Sequence, residues 1–207
     1  MLFSPLTNFN NYSNHECKTF MADSQIRLET TGLILLTAAP SFAPMVVKYL
    51  ESNRTFFEPW LPELPADYYT TKKQRTYIDE DIRFLQQEKQ IRFFLFRKEH
   101  TEVIIGDLSI SMIIRGAFQS CTLGYKLARQ ENNKGYMTEA IFATVAFAFS
   151  SLKLHRIEAN IIPGNEPSIR VIEKTGFKKE GLSPKYLKIN GAWQDHFRYA
   201  RLNTENE

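Results

Sequence analysis

Residues 132–149 have the sequence NNKGYMTEAIFATVAFAF, in which a polar loop leads directly into a strongly apolar helix. The pattern predicts a helix that begins near Gly135 and is apolar on nearly every side, which indicates burial against a sheet. The first turn of a helix has unpaired N–H groups and a partial positive charge. With the glycine and Lys134 at this end, the segment is suited to binding a pyrophosphate. On this segment alone, a plain strand–loop–helix junction is the simpler interpretation.

The composition is that of an ordinary globular protein. The 207 residues are sufficient for one domain with a buried core, and the net charge of +3 is far below that of a dedicated nucleic-acid-binding protein. Cys17, Cys121 and the four histidines match no metal-binding spacing, so no metal is expected. No apolar run is long enough to span a bilayer. We therefore predict a soluble, cytoplasmic protein without a membrane partner or a stable nucleic-acid partner.

The N-terminal region differs in composition from the rest of the chain. Residues 1–20 are rich in Asn and Ser and lack the basic and apolar regions of a signal peptide. We expect residues 1–25 to form a flexible extension, and Met21 is an alternative start of the working protein. The folded domain is then expected over residues 26–203.

The remaining chain alternates between helical and strand patterns. Asn165 is suited to capping a short helix that ends at Gly176, and Asn190 with Gly191 is a strong signal for a type I′ hairpin turn. Helices combined with a mixed, mostly antiparallel sheet predict a single α/β (α+β) domain. Helices are expected at residues 42–50 and after Thr71, which is a candidate cap. The first strand is expected at residues 34–36, further strands at 91–98, 103–114, 121–128 and 156–162, and a hairpin at 186–202.

A second polar group follows the strand predicted at residues 156–162. Asn165 and Ser168 lie at the end of this strand, where open sheets collect ligands, and Pro167 fits the first turn of the following helix. The simpler explanation is that both side chains only satisfy the N–H groups of that turn.

The two segments together resemble the GNAT superfamily of N-acetyltransferases, and within it the RimJ/RimL-type ribosomal-protein N-acetyltransferases, closest to the RimJ group. In that family a Q/R-x-x-G-x-G/A loop wraps the pyrophosphate of acetyl-CoA, and residues 132–137 correspond to it. Gly135 fits the pattern, whereas Asn132 and Met137 depart from it. The resemblance covers residues 26–202 and is strengthened by the sequences NRTFFEPWLP, VIIGDLSISMIIRGAFQSCTLGYKLA, LHRIEAN and NGAWQDHFRYA.

This resemblance implies a fold in which two neighbouring parallel strands, here residues 123–127 and 156–162, separate. The pantetheine arm of acetyl-CoA is then expected to enter the gap and pair with exposed backbone. The cofactor-binding residues implied in this way are Tyr125, Lys126, Leu127, Asn132, Asn133, Lys134, Gly135, Tyr136, Met137, Thr138, Asn165 and Ser168.

The resemblance also indicates which catalytic groups are missing. Relatives often have a carboxylate base at the position of Asn160 and a tyrosine acid at the position of Ile172. Ser168 corresponds to a family position that suits a hydrogen bond to the leaving thiolate. Glu158 shares a strand face with Asn160, which makes it a candidate base acting through water, with a surface ion pair as the alternative.

The other candidates lie near the acceptor. Asp195 and His196 alternate on the last strand, so only one can face the cleft, and a structural role is the favoured interpretation for both. Trp60 is expected to line the acceptor entrance or to anchor a rigid connector, and Asn160 is a candidate for substrate binding.

The absence of a carboxylate base at the position of Asn160 affects which acceptor amine the protein can use. An α-amine titrates near ~7.7–8.0 and a lysine side chain near ~10.4, so lysine needs about 3 kcal/mol more for deprotonation. This favours a protein N-terminus, in line with ribosomal-protein α-N-acetylation. The alternatives are a small-molecule amine acetyltransferase, acting on a polyamine, an antibiotic or an amino acid, and a non-catalytic acyl-CoA-binding module. The oligomeric state is left open between monomer and homodimer.

Overall fold

The computed structural model describes residues 25–204 and, before them, the backbone of two strands, β1 (Asn8–Phe9) and β2 (Cys17–Ala22). The following strands are β3 (Gln25–Glu29), β4 (Leu33–Thr37), β5 (Ile91–Arg97), β6 (His100–Ile114), β7 (Ser120–Leu127), β8 (Arg156–Ile161), β9 (Lys178–Ile189) and β10 (Ala192–Leu202). The helices are α1 (Ala43–Ser52), α2 (Arg54–Phe57), α3 (Thr71–Gln86), α4 (Tyr136–Ser150) and α5 (Glu166–Lys174).

The described strands form one sheet in the order β1-β2-β3-β4-β5-β6-β7-β8-β10-β9. Every neighbouring pair is antiparallel except β7 and β8, which are parallel. The predicted mixed, mostly antiparallel sheet with flanking helices is therefore confirmed. The strand predicted at residues 34–36 is present as β4, but it is not the first strand, because β1, β2 and β3 precede it. In β3, the alternation of buried Ile26 and Leu28 with polar residues was the signal that was missed.

The expected extension over residues 1–25 lies mostly outside the described residues, and its flexibility and the alternative start at Met21 stay predictions. Within it, the backbone of β2 pairs antiparallel with β3.

The parallel pair β7–β8 opens at one end. Pairing runs from Ser120 with Arg156 to Thr122 with Glu158 and then stops, although β7 continues to Leu127 and β8 to Ile161. The carboxyl-terminal halves of the two strands therefore separate, as the resemblance implied.

The sheet is covered on both faces. On one face, α4 buries Ala140, Ile141 and Ala148 completely against the strands, which confirms the prediction of a buried helix. On the other face, Val46 of α1 and Ile78 of α3 belong to a separate apolar cluster that also contains strand residues of β5 and β6. Each fully buried side chain of this size contributes about 1.5–3 kcal/mol, so both helix layers hold the sheet rigidly.

The turn and helix cap predicted from the sequence were mostly correct. Asn190 and Gly191 have φ of 45° and 78°, as a type I′ turn requires, and they join β9 to β10. The cap of α3 is Thr70 rather than Thr71, because the Thr70 side chain accepts a hydrogen bond from Lys73 N at 3.2 Å. In the described part of the chain, no helix has both the length and the apolar character needed to cross a bilayer.

Candidate active site

A cavity of about 310 Å³ lies where β7 and β8 separate. Its walls come from both separated strands, from the loop before α4, from the first turn of α5, from the segment around α2 and from β10. The lining residues are Phe56, Phe57, Trp60, Leu61, Leu123, Gly124, Tyr125, Lys126, Leu127, Asn132, Met137, Ala159, Asn160, Ile161, Ile162, Asn165, Pro167, Ser168, Val171 and His196.

The β7 edge of the gap presents unpaired backbone groups. Just beyond β7, Ala128 N donates to Ile105 O on the β6 side at 2.8 Å. Because successive residues of a strand direct their N–H and C=O groups to opposite edges, those of Tyr125 and Leu127 are directed into the gap, as is the C=O of Leu123 beyond the last paired position at Thr122. An extended ligand with amide groups can pair with this edge as an added strand does.

The loop that leads into α4 has a strained backbone that requires its glycine. Asn133 and Gly135 have φ of 63° and 84°, and Gly135 stands immediately before the first residue of α4. A residue with a Cβ pays about 1–2 kcal/mol in this left-handed region, whereas glycine does not. No side chain caps this end of α4, so the N–H groups of its first turn are available to an anion.

Two buried polar side chains hold this loop in place. Asn53, at the end of α1, accepts a hydrogen bond from Arg129 N at 2.9 Å and donates to Tyr49 O at 2.8 Å. Glu131 is buried, and its carboxylate pairs with Lys134 Nζ at 3.0 Å, so the charge of Lys134 is partly compensated. Sequence reasoning missed Asn53; an asparagine directly after a predicted helix was the available signal.

The first turn of α5 forms the opposite wall of the cavity. Asn165 Oδ1 accepts from Ser168 N at 3.3 Å, which confirms Asn165 as the cap. Across the gap, the Tyr125 hydroxyl donates to Ser168 O at 2.9 Å, and burial raises the pKa of Tyr125. The Ser168 hydroxyl forms no hydrogen bond with the described residues and is free to meet a ligand.

The candidate residues predicted from the sequence divide into two groups. Those that line the cavity are Tyr125, Lys126, Leu127, Asn132, Met137, Asn165, Ser168, Trp60 and Asn160. Those that lie on the loop and first turn of α4, outside the cavity lining, are Asn133, Lys134, Gly135, Tyr136 and Thr138. The second group offers backbone N–H groups and surface charge beside the cavity rather than inside it.

The contacts of Glu158 favour an ion-paired role over that of a base. Glu158 does share a strand face with Asn160, but it stands at the last paired position, before the gap opens. Its carboxylate pairs with Arg156 Nε at 2.7 Å and lies 4.0 Å from an Arg198 nitrogen, and it does not line the cavity. These contacts fit the alternative interpretation, a salt-bridged glutamate, and the role of Glu158 as a base stays a prediction.

Lys126 is held by a buried ionic cluster that sequence reasoning missed. Its Nζ pairs with Asp107 at 2.9 Å, and Arg92 bridges Asp107 at 3.0 Å and Asp81 at 3.3 Å. Burial alone would raise the pKa of Asp107, but Arg92 and Lys126 bring it below its ordinary value. Burial lowers the pKa of Lys126, and Asp107 offsets only part of that effect. The Lys126 side chain therefore braces the cavity wall from the far face of the sheet.

Asp195 and His196 lie on opposite sides of β10, as expected. His196 lines the cavity and is 3 % exposed, whereas Asp195 Oδ1 accepts from Lys185 N at 2.8 Å on the other side of the strand.

Trp60 is 37 % exposed at the rim. Ile172 is fully buried in the core, so that position offers no acid. Among the residues described, no cluster of His, Cys, Asp and Glu could hold a metal ion.

Comparison with known proteins gives a consistent result. The family model described as Acetyltransferase (GNAT) domain matches residues 33–178. The chain is 45% identical over 155 residues to the probable N-acetyltransferase YjcK of Bacillus subtilis, covering 75% of this chain and 85% of that protein. It is 32% identical over 172 residues to the ribosomal protein uS5-alanine N-acetyltransferase of Escherichia coli, covering 83% and 88%. The crystal structure of the ribosomal-protein-S5-alanine acetyltransferase of Vibrio fischeri superposes with a TM-score of 0.82 at 32% identity, covering 87% and 98%.

Proposed function

The chain belongs to the GNAT family of N-acetyltransferases, and from that premise we propose that it acetylates the N-terminal α-amine of a ribosomal protein. Members of this family take the acetyl group from acetyl-CoA. The observation that carries the proposal is the charge of the cavity. Among the described lining residues, the one charged side chain is Lys126, and its ammonium group pairs with Asp107.

A cavity without carboxylates suits a singly charged acceptor. Polyamines and aminoglycosides carry several positive charges, and sites for them need compensating acidic groups. A peptide N-terminus brings one amine of pKa ~7.7–8.0, which is partly neutral at physiological pH. The neutral lining of Trp60, Leu61 and Asn160 therefore favours a peptide terminus over a polycation.

In this proposal the two substrates bind at opposite ends of the cavity. We assign the pyrophosphate of acetyl-CoA to the N–H groups of the first turn of α4, beside Gly135. Its pantetheine arm then pairs with the gap edge of Leu123 and Tyr125, and the Ser168 hydroxyl donates a hydrogen bond to the leaving thiolate. The acceptor enters past Trp60. This arrangement lets the amine attack the thioester carbonyl directly, because both partners are held in one cavity.

A ribosomal protein as the acceptor is supported by the named relatives. The Escherichia coli relative modifies an alanine of ribosomal protein uS5, and its similarity extends over 83% of this chain. The more similar Bacillus subtilis relative is named only as a probable N-acetyltransferase, so the acceptor protein of this chain is part of the proposal.

The test is acetyl transfer from acetyl-CoA, followed by mass spectrometry. The acceptors are peptides that begin with Ala or Ser, the same peptides with a blocked N-terminus and an internal Lys, a polyamine and an aminoglycoside. We expect modification only of free N-termini. Transfer to lysine in the blocked peptides, or a preference for the polycations, would overturn the proposal. Intact ribosomal proteins, compared with unrelated proteins that share their first residue, then test the ribosomal part.

A further inference from the structure

We propose that His196 is the general base that takes the proton from the acceptor amine, an inference that rests on the proposed function. The side chain is almost fully buried, yet it lines the cavity at the end away from the α4 loop. A buried histidine with one ring nitrogen open to a substrate cavity is well placed for proton transfer.

The hydrogen bond of the ring determines its tautomer. His196 Nδ1 lies 3.0 Å from Gln194 O, and a carbonyl oxygen only accepts, so Nδ1 carries the proton. In the neutral ring, Nε2 is then the basic nitrogen. Within the described part of the chain, Nε2 has no hydrogen-bond partner, so its lone pair is available.

The backbone of β10 is irregular at the point that aims this ring. The register of β10 against β9 shifts between Gln194 and His196. Bulges of this kind redirect side chains and are common beside active sites. Here the irregularity lets Asp195 accept from Lys185 N outside the cavity while His196 turns inward.

A second acceptor lies on the same face of the sheet. β8 and β10 pair Asn160 with Arg198, which places His196 diagonal to Asn160 on neighbouring strands. Asn160 Nδ2 donates to the Tyr186 hydroxyl at 3.4 Å, which leaves the amide oxygen of Asn160 free to accept. The Tyr186 ring packs on His196 with centroids 5.5 Å apart. Two acceptors, Nε2 and the Asn160 oxygen, can thus hold one ammonium group.

Most of the charges near His196 have partners of their own. The titratable and charged side chains on the strands around His196 include Lys185 and Tyr186 on β9, Asp195 and Arg198 on β10, Glu158 on β8 and Lys126 on β7. Asp195 is bonded to the backbone, Arg198 approaches Glu158, and Lys126 pairs with Asp107. The His196 imidazole is therefore the basic group in the cavity that can take a proton without breaking an ion pair.

Acetyl transfer releases two protons from the acceptor nitrogen, one to His196 and one to the CoA thiolate. The ammonium group gives one proton to His196 Nε2, and the neutral nitrogen attacks the thioester carbonyl carbon. The C–N bond forms and the C–S bond breaks, with the electron pair leaving on the CoA sulfur. The nitrogen loses its second proton to that thiolate, which gives CoA as the thiol. The imidazolium then returns its proton to solvent.

The test compares kcat/KM of the wild type and His196→Asn on an N-terminal peptide at pH 7 and pH 9. Asparagine keeps an N–H near the position of Nδ1 but removes Nε2. We expect a loss of about tenfold at pH 7, because only about a tenth of an amine of pKa ~8 is neutral there, and a loss of less than about twofold at pH 9. The KM for acetyl-CoA should not change. His196→Gln repeats the test should the asparagine variant fail to fold, and the exposed His155→Asn is the matched control.

Equal losses at both pH values, or no loss at pH 7, would overturn the role of His196. Failure of the proposed function gives a different result, since the wild type itself would then not modify peptide N-termini. In that case, the His196 variants are compared on the amine that the wild type does acetylate, and the same pH criterion applies.

Discussion

The two ends of the cavity are built from very different parts of the chain. The loop end consists of one continuous stretch, residues 123–137, which runs from β7 through the loop into α4. The hairpin end brings together Trp60, Asn160 and His196, which are at least 36 positions apart in the sequence. The loop end works through backbone N–H groups and a left-handed glycine, whereas the hairpin end works through side chains. A site can thus keep a cofactor surface while changing its acceptor, because the two surfaces depend on separate residues.

The largest effect should come from the wall that both ends share. Asp107→Asn leaves Arg92 and Lys126 buried without their carboxylate, which costs about 3–5 kcal/mol. Urea unfolding measures the loss, and both the KM for acetyl-CoA and the KM for the acceptor should rise. The control is Asp79→Asn, which removes an exposed pair with Arg75 and should have a much smaller effect. A loss of stability no larger than that of the control would show that the cluster does not brace the wall.

The same cluster predicts how stability depends on pH. The pKa of Asp107 lies below its ordinary value of ~3.9 in the folded protein, so its contribution is fully present above about pH 4. It is lost as the pH falls through the folded pKa. In the wild type, the free energy of unfolding should therefore decrease below about pH 4, and the Asp107→Asn variant should show less of that decrease.

The next effect separates the loop end from the hairpin end. Gly135→Ala places a Cβ at φ of 84°, which costs about 1–2 kcal/mol and displaces the first turn of α4. We expect acetyl-CoA to bind about tenfold more weakly by isothermal titration calorimetry, with the acceptor KM unchanged. Gly181→Ala is the matched control, because Gly181 has no positive φ and an added Cβ meets open space. An unchanged acetyl-CoA affinity would show that the loop before α4 does not bind the pyrophosphate of acetyl-CoA.

A smaller effect should be confined to the hairpin end. Trp60→Ala removes a half-exposed aromatic wall of the cavity, and we expect the acceptor KM to rise about fivefold while the KM for acetyl-CoA stays the same. Steady-state kinetics with each substrate varied in turn measures the split. If both KM values rose together, Trp60 would be a structural anchor rather than an entrance residue.

The smallest effect tests a residue that belongs to neither end. Glu158→Gln weakens ion pairs with Arg156 and Arg198 before the gap opens, so kcat/KM should stay within about twofold of the wild type. Arg156 keeps its second partner, Glu180, in this variant. A loss much larger than twofold at pH 7 would return Glu158 to the list of bases and weaken the case for His196.

The difference between the ends also explains which predictions succeeded. The start of α4 near Gly135, the cap at Asn165 and the turn at Asn190 depend on neighbours in sequence, and local patterns predicted them. The face of β8 on which Glu158 lies was predicted correctly, but its position before the gap was not. Alternation gives the face of a strand and not the point along it where two strands separate.

Other parts of the site could not be predicted, for the same physical reason. Asn53 reaches Arg129, 76 residues later in the chain, and Lys126 reaches Asp107 on a neighbouring strand. Polar residues such as these look like surface residues in a sequence, and only the packing of α1 and α3 on the sheet buries them.

Local sequence patterns were sufficient to predict helices α1, α3, α4 and α5, most strands, the glycine loop before α4 and the family resemblance. These features depend on periodicity, on backbone preferences and on short contiguous motifs. Three features became known only from the folded chain: the point where β7 and β8 separate, the position of Glu158 outside the cavity, and the exposure of His196 rather than Asp195 to it. Those outcomes follow from strand register and burial, which join residues far apart in the chain and leave no local pattern.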